Sequence, residues 1–481
     1  MINHIDNIIP KFKTTPFKHQ LDDYMSSRDS VWYAILWEMG LGKSKLLLDT
    51  ASWLYSQGKI DGLLIIAPKG SYLSWVYDQV PDHLSDDIDY RIGYWSSSLK
   101  KNEEREAMEV LSPSTDALDI ACVNIEALSH KRGALYCAKF VTTHRTLMCI
   151  DESTGIKSHK ALRTKTALKL GKFAKYRRIM TGTPVTQSPL DLYSQCQFLE
   201  HGCLGFTSFF AFKNFYADII QLRLGTRTFP KIVGFRNLED LSQKLSKFST
   251  RRLKSECLDL PDKLYETRYI EMTAAQQTMY ETMRDLCVVQ LESSIVTVTS
   301  VLTAIIKLQE ILCGHIKDEN GTYHDVPTNR LDALLSVVEE AQGSFIVWCN
   351  FVRDVEQVSA ALTEAGISNA MYYGKTSDED RVSAIKNFQG GTIRGFVGTA
   401  ACGGVGNTLT AASTVIYYSN GYNLQTRLQS EDRAHRIGQT KKVTYVDLII
   451  PGTIDEKIVK ALKHKKNVAD QVLDNWRTLL A

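Results

Sequence analysis

Two stretches of the chain, residues 1–190 and 331–481, alternate short apolar runs with longer amphipathic segments. The apolar runs of the first stretch are VWYAILW (31–37), LLIIAP (63–68), DIACVN (119–124), TLMCID (146–151) and RRIMTG (177–182). Such continuous runs are typical of parallel strands whose sheet is covered by helices on both faces. Helices are predicted between them, for example over 46–58 and 165–175. The alternation therefore predicts a doubly wound α/β domain.

The same alternation returns in the second stretch. Its strand-like runs are SFIVWCN (344–350), NAMYYG (369–374), GFVGTA (395–400), TVIYYS (414–419) and VTYVDLII (443–450). Residues 191–330 lie between the two stretches and show mostly helical and aromatic patterns. A chain of 481 residues is also too long for one typical core. We therefore expect an α/β fold with parallel-sheet lobes over 1–190 and 331–481 and a helical insertion over 191–330.

The segment WEMGLGKS follows the first predicted strand and precedes a predicted helix. Gly40 and Gly42 allow a tight turn whose successive N–H groups face a phosphate. Lys43 is placed to reach the β- and γ-phosphates, and the Ser44 hydroxyl is a candidate Mg²⁺ ligand. The alternative is a glycine turn that contains GKS by chance. The predicted nucleotide-binding residues of this loop are Met39, Gly40, Leu41, Gly42, Lys43 and Ser44.

A second motif, MCIDESTG, ends an apolar strand with two adjacent carboxylates, Asp151 and Glu152. An aspartate at the carboxyl end of a strand can hold Mg²⁺, and its neighbour can polarise an attacking water. The alternative is an acidic helix cap. A third motif, MTGTPVTQSP, places the hydroxyls of Thr181 and Thr183 after another strand, where they either relay the nucleotide state or belong to a plain turn.

These three motifs, in this order, resemble the motor core of the helicase superfamily 2. The resemblance implies two RecA-like lobes with ATP in the cleft between them. Gln20, in PFKHQ, is similar to the family's adenine-reading element. The segment APKGSYLSWVYDQ (67–79) resembles a loop that touches the nucleic-acid backbone, which makes Lys69 and Ser71 predicted contacts.

Further segments resemble the Swi/Snf-related branch of that superfamily. They are EMGLGKS, TGTPVTQSPLDLYS, RRLKSECLDLPDK (251–263), FVGTAACGGVGNTL (396–409) and QSEDRAHRIGQ (429–439). The resemblance extends from about Phe17 to Lys460. It has departures: Trp37 replaces the usual acidic residue, and Ser153-Thr154 replace the usual small residue and histidine. The link that this histidine makes to the rest of the site is therefore in question.

The resemblance implies a DNA-stimulated ATPase that uses ATP and Mg²⁺. Arg433 and Arg436 would act as arginine fingers on the γ-phosphate, and their three-residue spacing predicts that one helix turn presents both on one face. The implied catalytic residues are Lys43, Asp151, Glu152, Arg433 and Arg436; the metal ligands are Ser44 and Asp151. Gly406 is a further predicted nucleotide contact, and the predicted nucleic-acid contacts are Lys69, Ser71, Asn350, Phe351 and Thr399.

The expected track is the phosphodiester backbone of duplex DNA. The net charge of the chain is only +3, so contacts to DNA must come from local clusters. Residues 157–178 form one such cluster, with nine lysines or arginines and no acid. This cluster is either a phosphate-binding segment or a solvated helix face.

Three functions remain open: a duplex translocase, which the resemblance favours; a strand-separating helicase acting on DNA or RNA; and a scaffold without motor activity. Ten cysteines without a CxxC pair argue against zinc and for reduced thiols. The sequence shows neither a signal peptide nor an apolar run long enough for a membrane span. We therefore expect a protein that is not secreted, cytoplasmic in a bacterium or phage-infected cell and nuclear in a eukaryote.

Overall fold

The computed structural model describes residues 11–96, 99, 101–224, 227–293, 298–318, 320–403 and 408–478. The chain divides into two compact units. The first comprises residues 1–258 and 465–481, and the second comprises residues 259–464.

A parallel sheet of seven strands forms the centre of the described part of the first unit. The strands of this unit are β1 (Trp32–Ile35), β2 (Gly62–Ala67), β3 (Tyr90–Trp95), β4 (Leu118–Asn124), β5 (Thr146–Asp151), β6 (Tyr176–Met180), β7 (Ala217–Leu224), β8 (Arg227–Phe235) and β9 (Ser249–Thr250). The sheet order is β3-β4-β2-β5-β6-β1-β9, and β7 and β8 pair separately as an antiparallel hairpin.

Helices cover both faces of this sheet. They are α1 (Lys18–Ser27), α2 (Lys43–Ser56), α3 (Tyr72–Ser74), α4 (Val80–His83), α5 (Lys101–Glu109), α6 (Lys131–Thr143), α7 (Leu162–Gly171), α8 (Leu192–Leu199), α9 (Phe209–Tyr216), α10 (Leu238–Ser246) and α11 (Lys254–Cys257). Alternate residues of β2 enter two different core clusters, Leu64 and Ile66 on one side and Leu63 and Ile65 on the other. Burial on both sides explains why this strand is a continuous apolar run.

The second unit contains another parallel sheet, in the order β10-β17-β16-β13-β15-β14. The strands from residue 259 onward are β10 (Lys263–Tyr269), β11 (His315–Lys317), β12 (Tyr323–Asp325), β13 (Ser344–Cys349), β14 (Asn369–Tyr372), β15 (Gly395–Thr399), β16 (Ala412–Tyr417) and β17 (Val443–Ile449). The helices are α12 (Ala274–Ser293), α13 (Val298–Leu312), α14 (Arg330–Glu340), α15 (Val352–Glu364), α16 (Asp378–Gln389), α17 (Ala400–Gly403), α18 (Leu424–Asp432) and α19 (Ile454–Thr478).

The predicted α/β class with two parallel sheets is confirmed. Residues 191–330, for which the sequence predicts a helical insertion, contribute to both units. Strand β9 extends the first sheet and β10 extends the second. This region also holds the β7–β8 hairpin, so it is less purely helical than its sequence pattern indicated. Among the described residues, none of the helices combines the length and the apolar character that crossing a membrane requires.

A buried ionic cluster holds β4 to its neighbours in the first unit. Asp119 is fully buried and accepts hydrogen bonds from Arg91 Nε at 2.7 Å, from Ser114 N–H at 2.8 Å and from His144 Nε2 at 3.2 Å. Burial alone would raise the pKa of Asp119. The hydrogen bonds from His144, Arg91 and Ser114 outweigh burial and hold this pKa below its usual value.

We expect Asp119→Asn to lower the free energy of unfolding of the first unit by about 2 kcal/mol, since it removes the charge of a fully buried carboxylate that accepts hydrogen bonds from three donors, among them the half-buried Arg91. Because the folded-state pKa is lowered, the wild-type advantage is present at neutral pH and is lost as the pH falls through that pKa. Urea unfolding followed by tryptophan fluorescence measures the effect. Asp116→Asn, an exposed neighbour, is the control, and equal losses in the two variants would contradict the assignment.

Candidate functional site

Four neighbouring strands of the first sheet end at one edge. β2, β5, β6 and β1 are adjacent and parallel, so the segments that follow them meet at their carboxyl ends. The glycine loop follows β1, Asp151 and Glu152 end β5, and Thr181 follows β6. The exposed Lys69 and the half-buried Ser71 lie in the turn after β2. The structure thus brings the predicted residues of the first unit to one edge, where ligands of open α/β sheets bind.

The glycine loop has the backbone of an anion cradle. Gly40 and Gly42 adopt left-handed φ angles of 79° and 80°, and α2 begins immediately afterwards at Lys43. Met39 and Leu41 stand beside these glycines, and Ser44 is the second residue of the helix. A helix N-terminus behind consecutive N–H groups favours a bound phosphate.

Lys43 is held inside this loop by main-chain carbonyls. Its Nζ donates to the carbonyl oxygens of Trp37 at 3.0 Å and Glu38 at 3.2 Å. Burial lowers the pKa of Lys43, and the nearby carboxylates of Glu152 and Asp151 oppose that shift. The ammonium group therefore lies close enough to the acidic pair to interact with it electrostatically, while its hydrogen bonds go to neutral carbonyls.

Gln20 contacts the same loop from α1. Its side-chain Nε2 donates to the carbonyl of Leu41 at 3.1 Å, and its Oε1 accepts the N–H of Phe17 at 2.9 Å. His19 Nε2 lies 3.0 Å from the same Leu41 oxygen. The predicted adenine reader is therefore next to the glycine loop.

The acidic pair is set by a strained backbone. Glu152 adopts φ 47° and ψ 58°, a left-handed conformation that non-glycine residues rarely take. Its N–H donates to Asp151 Oδ1 at 2.9 Å, and its Oε2 accepts the Thr181 hydroxyl at 3.0 Å. Burial and the adjacent Glu152 charge raise the pKa of Asp151 above its usual value. The two carboxylates therefore sit in different environments.

Trp75 is a site residue that sequence reasoning missed. Its indole Nε1 donates to Asp151 Oδ2 at 3.1 Å, and the side chain is almost fully buried. It begins a π-helical turn over Trp75–Gln79, a feature found frequently at functional sites. The predicted nucleic-acid segment 67–79 already included this tryptophan, but the contact joins residues 76 positions apart and has no local signal.

Ser153 and Thr154, which depart from the family pattern, are buried. The Ser153 hydroxyl donates to Gln195 Oε1 at 2.7 Å, and Gln195 Nε2 donates to the carbonyls of Pro184 and Asp191, each at 2.8 Å. The acidic loop is thus tied to the loop after β6 through Gln195, a second residue that the sequence did not indicate.

The glycine loop is braced by the segment after β9. Arg251 Nη1 donates to the carbonyls of Leu36 at 2.9 Å and Gly182 at 3.2 Å. The fully buried Trp37 donates its indole N–H to the Thr250 hydroxyl at 2.9 Å. Trp37 therefore has a packing role in this chain.

The residues present suit Mg²⁺ with nucleotide. Mg²⁺ prefers oxygen ligands and is usually held by one or two carboxylates together with substrate phosphates. The Ser44 hydroxyl and the Asp151 carboxylate are of that kind. In the described part of the chain there is no cluster of three or more histidine, cysteine, aspartate or glutamate side chains that could hold a metal without such phosphates.

In the second unit, the carboxyl ends of β13, β15 and β16 border a cavity of about 390 Å³. Asn350, after β13, and Thr399, at the end of β15, both line it, together with Ala400 and Ala401. Two of the predicted nucleic-acid contacts therefore share one cavity. Gly406 lies outside the described residues.

A series of buried, hydrogen-bonded side chains holds the loop at Asn350 in place. The Asn350 N–H donates to Ser419 Oγ at 2.7 Å, and that hydroxyl donates to Asp354 Oδ2 at 2.6 Å. His315 Nε2 lies 2.7 Å from the other oxygen of Asp354. The ring of Phe351 packs edge-on against His315, so it contributes to the core of its own unit as well as to the loop.

The two arginines of the predicted finger motif do not share a helix turn. α18 ends at Asp432, and Arg433 is its C-cap. The sequence predicts a helix that continues through Arg436, but the main-chain carbonyls of Arg433 and Ala434 accept hydrogen bonds from outside the helix. Leu409 N–H donates to the Arg433 carbonyl at 2.9 Å, and the side chain of Gln439 donates to the Ala434 carbonyl at 2.9 Å. Arg433 is buried, whereas Arg436 is half-buried and burial lowers its pKa.

Strong ion pairs fix the helix that precedes these arginines. Buried Glu431 accepts Arg427 Nε at 2.8 Å and the Tyr265 hydroxyl at 2.8 Å. Arg427 also pairs with Asp447, its Nη1 lying 2.5 Å from Oδ1. His435 Nε2 lies 2.7 Å from the Pro261 carbonyl. The end of α18 is therefore anchored to β17 and β10.

The basic segment 157–178 is not one continuous patch. Arg178 is buried in β6, where it donates to the Ser27 carbonyl at 3.0 Å and burial lowers its pKa to about 10. Arg177 pairs with Glu200 at 3.1 Å. These two arginines have structural roles, so they do not contribute to a phosphate-binding surface.

Two family descriptions match the chain. Residues 23–316 match the SNF2-related domain, and residues 328–438 match the helicase conserved C-terminal domain. Both matches agree with the resemblance read from the motifs.

Individual proteins are similar to the chain at lower identity. An "Uncharacterized ATP-dependent helicase" of Mycoplasma pneumoniae is 28% identical over 91% of the chain and 40% of its own length. A Caenorhabditis elegans "SWI/SNF-related matrix-associated actin-dependent regulator of chromatin subfamily A-like protein 1 homolog" is 28% identical over 92% of the chain and 60% of its own length. The chain thus spans between two fifths and three fifths of these relatives.

A solved structure titled "Sulfolobus solfataricus SWI2/SNF2 ATPase core in complex with dsDNA" is 22% identical. It covers 98% of this chain and 96% of its own, with a TM-score of 0.43.

Gly42→Ala tests the cradle. A Cβ atom at residue 42 would lie 2.1 Å from Gln20 Nε2, and φ would stay at an unfavourable +80°. We expect binding of a fluorescent ATP analogue to weaken by at least about tenfold, which equals about 1.4 kcal/mol. Gly58→Ala is a matched control, because φ there is +61° but nothing lies within 4 Å of the new atom.

The control separates backbone strain from displacement of Gln20. Both variants should lose about 1–2 kcal/mol of stability from the left-handed conformation. Only Gly42→Ala should lose nucleotide affinity as well. Unchanged analogue affinity in Gly42→Ala would show that the loop is not the phosphate site.

Proposed function

The chain belongs to the SNF2-related family, and we propose that it is an ATP-driven motor that moves along duplex DNA. The main support for the proposal is the set of residues that lie together at the carboxyl edge of the first sheet. There a glycine loop, Lys43 and the Asp151–Glu152 pair stand on adjacent parallel strands. The chain spans only part of the length of its relatives, so the support for its activity and for its DNA track comes from its own residues.

ATP phosphates would bind the N–H groups around Gly40 and Gly42 at the start of α2. Lys43 now donates to two neutral carbonyls, and a phosphate oxygen is a stronger acceptor, so Lys43 would exchange them for the nucleotide. Gln20 is positioned by the same loop and would read the base. Gln20 would then connect the bound base to the glycine loop, because its side chain is hydrogen-bonded to the Leu41 carbonyl of that loop.

Hydrolysis would depend on positioned charge. Glu152 would accept a hydrogen bond from the attacking water, while its Oε2 atom continues to accept the hydrogen bond from the Thr181 hydroxyl. Ser44 and Asp151 would hold Mg²⁺, which when bound neutralises phosphate charge. Arg433 and Arg436 would stabilise the negative charge that develops on the transferred phosphate.

DNA would be held through its backbone. Lys69 in the first unit is an exposed lysine, and Ser71 in the first unit and Asn350 and Thr399 in the second are small polar residues at or after strand ends. Such groups bind phosphates without reading bases, so binding should show little sequence preference and a strong salt dependence.

An ATPase assay with no nucleic acid, single-stranded DNA, duplex DNA and RNA tests the function. Duplex DNA should stimulate turnover most. Stimulation mainly by RNA or single strands would favour a strand-separating helicase, which fork unwinding against triplex displacement would then resolve. Absence of hydrolysis with every polymer would leave a scaffold role and refute the motor.

Lys43→Ala and Glu152→Gln should each abolish turnover, since one removes the phosphate ligand and the other the group that orients water. Nucleotide binding should weaken in Lys43→Ala and persist in Glu152→Gln. Steady-state hydrolysis and analogue binding measure both. Lys59→Ala and Glu200→Gln change surface charges of the same unit and should behave as wild type; wild-type rates in the site variants would mean that the site is misassigned.

Arg436→Ala should leave ATP binding intact and lower turnover by at least about 10²-fold, a conservative value for an arginine finger. The reason is that its charge acts on the developing phosphate charge rather than on bound ATP. Arg284→Ala, which removes an exposed arginine paired with Asp285, is the control. A parallel loss of binding and turnover would identify Arg436 as structural.

A further inference from the structure

Asp151 receives one hydrogen bond from its own loop and one from a distant segment. The Glu152 N–H donates to Oδ1 at 2.9 Å, and the indole Nε1 of Trp75 donates to Oδ2 at 3.1 Å. Hydrogen bonds to an ionised group are shorter and stronger than neutral ones. With one donor on each oxygen, the plane of the carboxylate is set jointly by Glu152 and Trp75.

Trp75 is connected to the turn after β2 by a short, braced segment. The N–H groups of Ser71 and Tyr72 both donate to the Pro68 carbonyl, at 2.9 and 3.0 Å. The Ser74 hydroxyl donates to the Ser71 carbonyl at 2.7 Å, and Ser74 N–H donates to the same oxygen at 3.1 Å. Only three residues separate Ser71 from Trp75, and these bonds leave little freedom between them.

The indole has little room to move independently of that segment. Trp75 is 1% exposed and belongs to the core cluster beneath the sheet edge. Interiors are packed closely, so a displacement of the turn is transmitted to the buried ring rather than absorbed. By contrast Lys69, at the tip of the turn, is exposed and open to a ligand.

We propose that Trp75 is a positioning residue that couples the Lys69–Ser71 turn to the Asp151 carboxylate. A DNA phosphate bound at the turn fixes the segment, the indole N–H and thereby the orientation of the carboxylate that would hold Mg²⁺. This inference rests on the proposed DNA-dependent function and supplies a path by which DNA raises nucleotide turnover within the first unit.

Trp75→Phe removes the N–H and keeps an aromatic ring. Trp53→Phe is a matched control, because Trp53 Nε1 also donates to an aspartate oxygen, Asp29 Oδ1, at the same distance of 3.1 Å but near the surface. Replacement of Trp75 by 3-benzothienylalanine, which has sulfur in place of the N–H, removes the donor without changing the volume. This second variant keeps the test valid if Trp75→Phe folds poorly.

Three quantities are measured: the Mg²⁺ concentration for half-maximal binding of a fluorescent ADP, the ratio of turnover with and without duplex DNA, and the DNA dissociation constant without nucleotide. In both Trp75 variants the Mg²⁺ requirement should rise about tenfold and the turnover ratio should fall by about fivefold or more, as expected for a lost hydrogen bond to a charged group. DNA affinity without nucleotide should be unchanged.

Trp75 variants that match Trp53→Phe in the Mg²⁺ requirement and the turnover ratio would overturn the proposal. A loss of DNA affinity equal to the loss of stimulation would also overturn it, because Trp75 would then only support the DNA surface. Failure of the proposed function itself is distinguishable, since it would appear in the wild type as turnover that duplex DNA does not raise.

Discussion

The parallel order of β2, β5, β6 and β1 is the constraint on which the site depends. In a parallel sheet every strand ends at the same edge, so segments that are distant in sequence become neighbours without any special contact. Gly182, after β6, shows how close they come. A Cβ atom there would lie 3.0 Å from the Met39 side chain and 3.3 Å from the Trp37 carbonyl. The loops after β1 and β6 therefore pack directly on each other, and their relative position is fixed by the sheet.

The main chain at this edge adopts conformations that would be unfavourable elsewhere. A left-handed conformation costs a residue with a side chain about 1–2 kcal/mol. Gly40 and Gly42 avoid that cost, but Glu152 does not. Its backbone is held by its own N–H to Asp151, by Gly155 N–H to its carbonyl at 2.9 Å, and by Thr181 at its carboxylate. These hydrogen bonds offset the energetic cost of the left-handed conformation. The same conformation directs the Glu152 side chain differently from that of Asp151, so the two carboxylates have different partners.

Sequence patterns predicted those parts of the fold in which burial is continuous. β2 and β5 were predicted because helices cover both of their sides, whereas the edge strand β3 was missed because only Gly93 within it is buried. The glycine loop and the acidic pair were predicted because their chemistry is local. The end of α18 was predicted wrongly, since the partners of its carbonyls, Leu409 N–H and the Gln439 side chain, are set by tertiary structure. Trp75 and Gln195 gave no signal for the same reason.

Ser153 shows how a departure from a motif can leave a connection in place. The family pattern has a histidine close to this position, and its absence put the link to the rest of the site in question. In this chain Ser153 and fully buried Gln195 join the acidic loop to the Pro184 carbonyl. A histidine titrates near neutral pH, but a hydroxyl, an amide and a carbonyl do not. The link that runs from Ser153 through Gln195 to the Pro184 carbonyl therefore contains no group whose charge changes near neutrality.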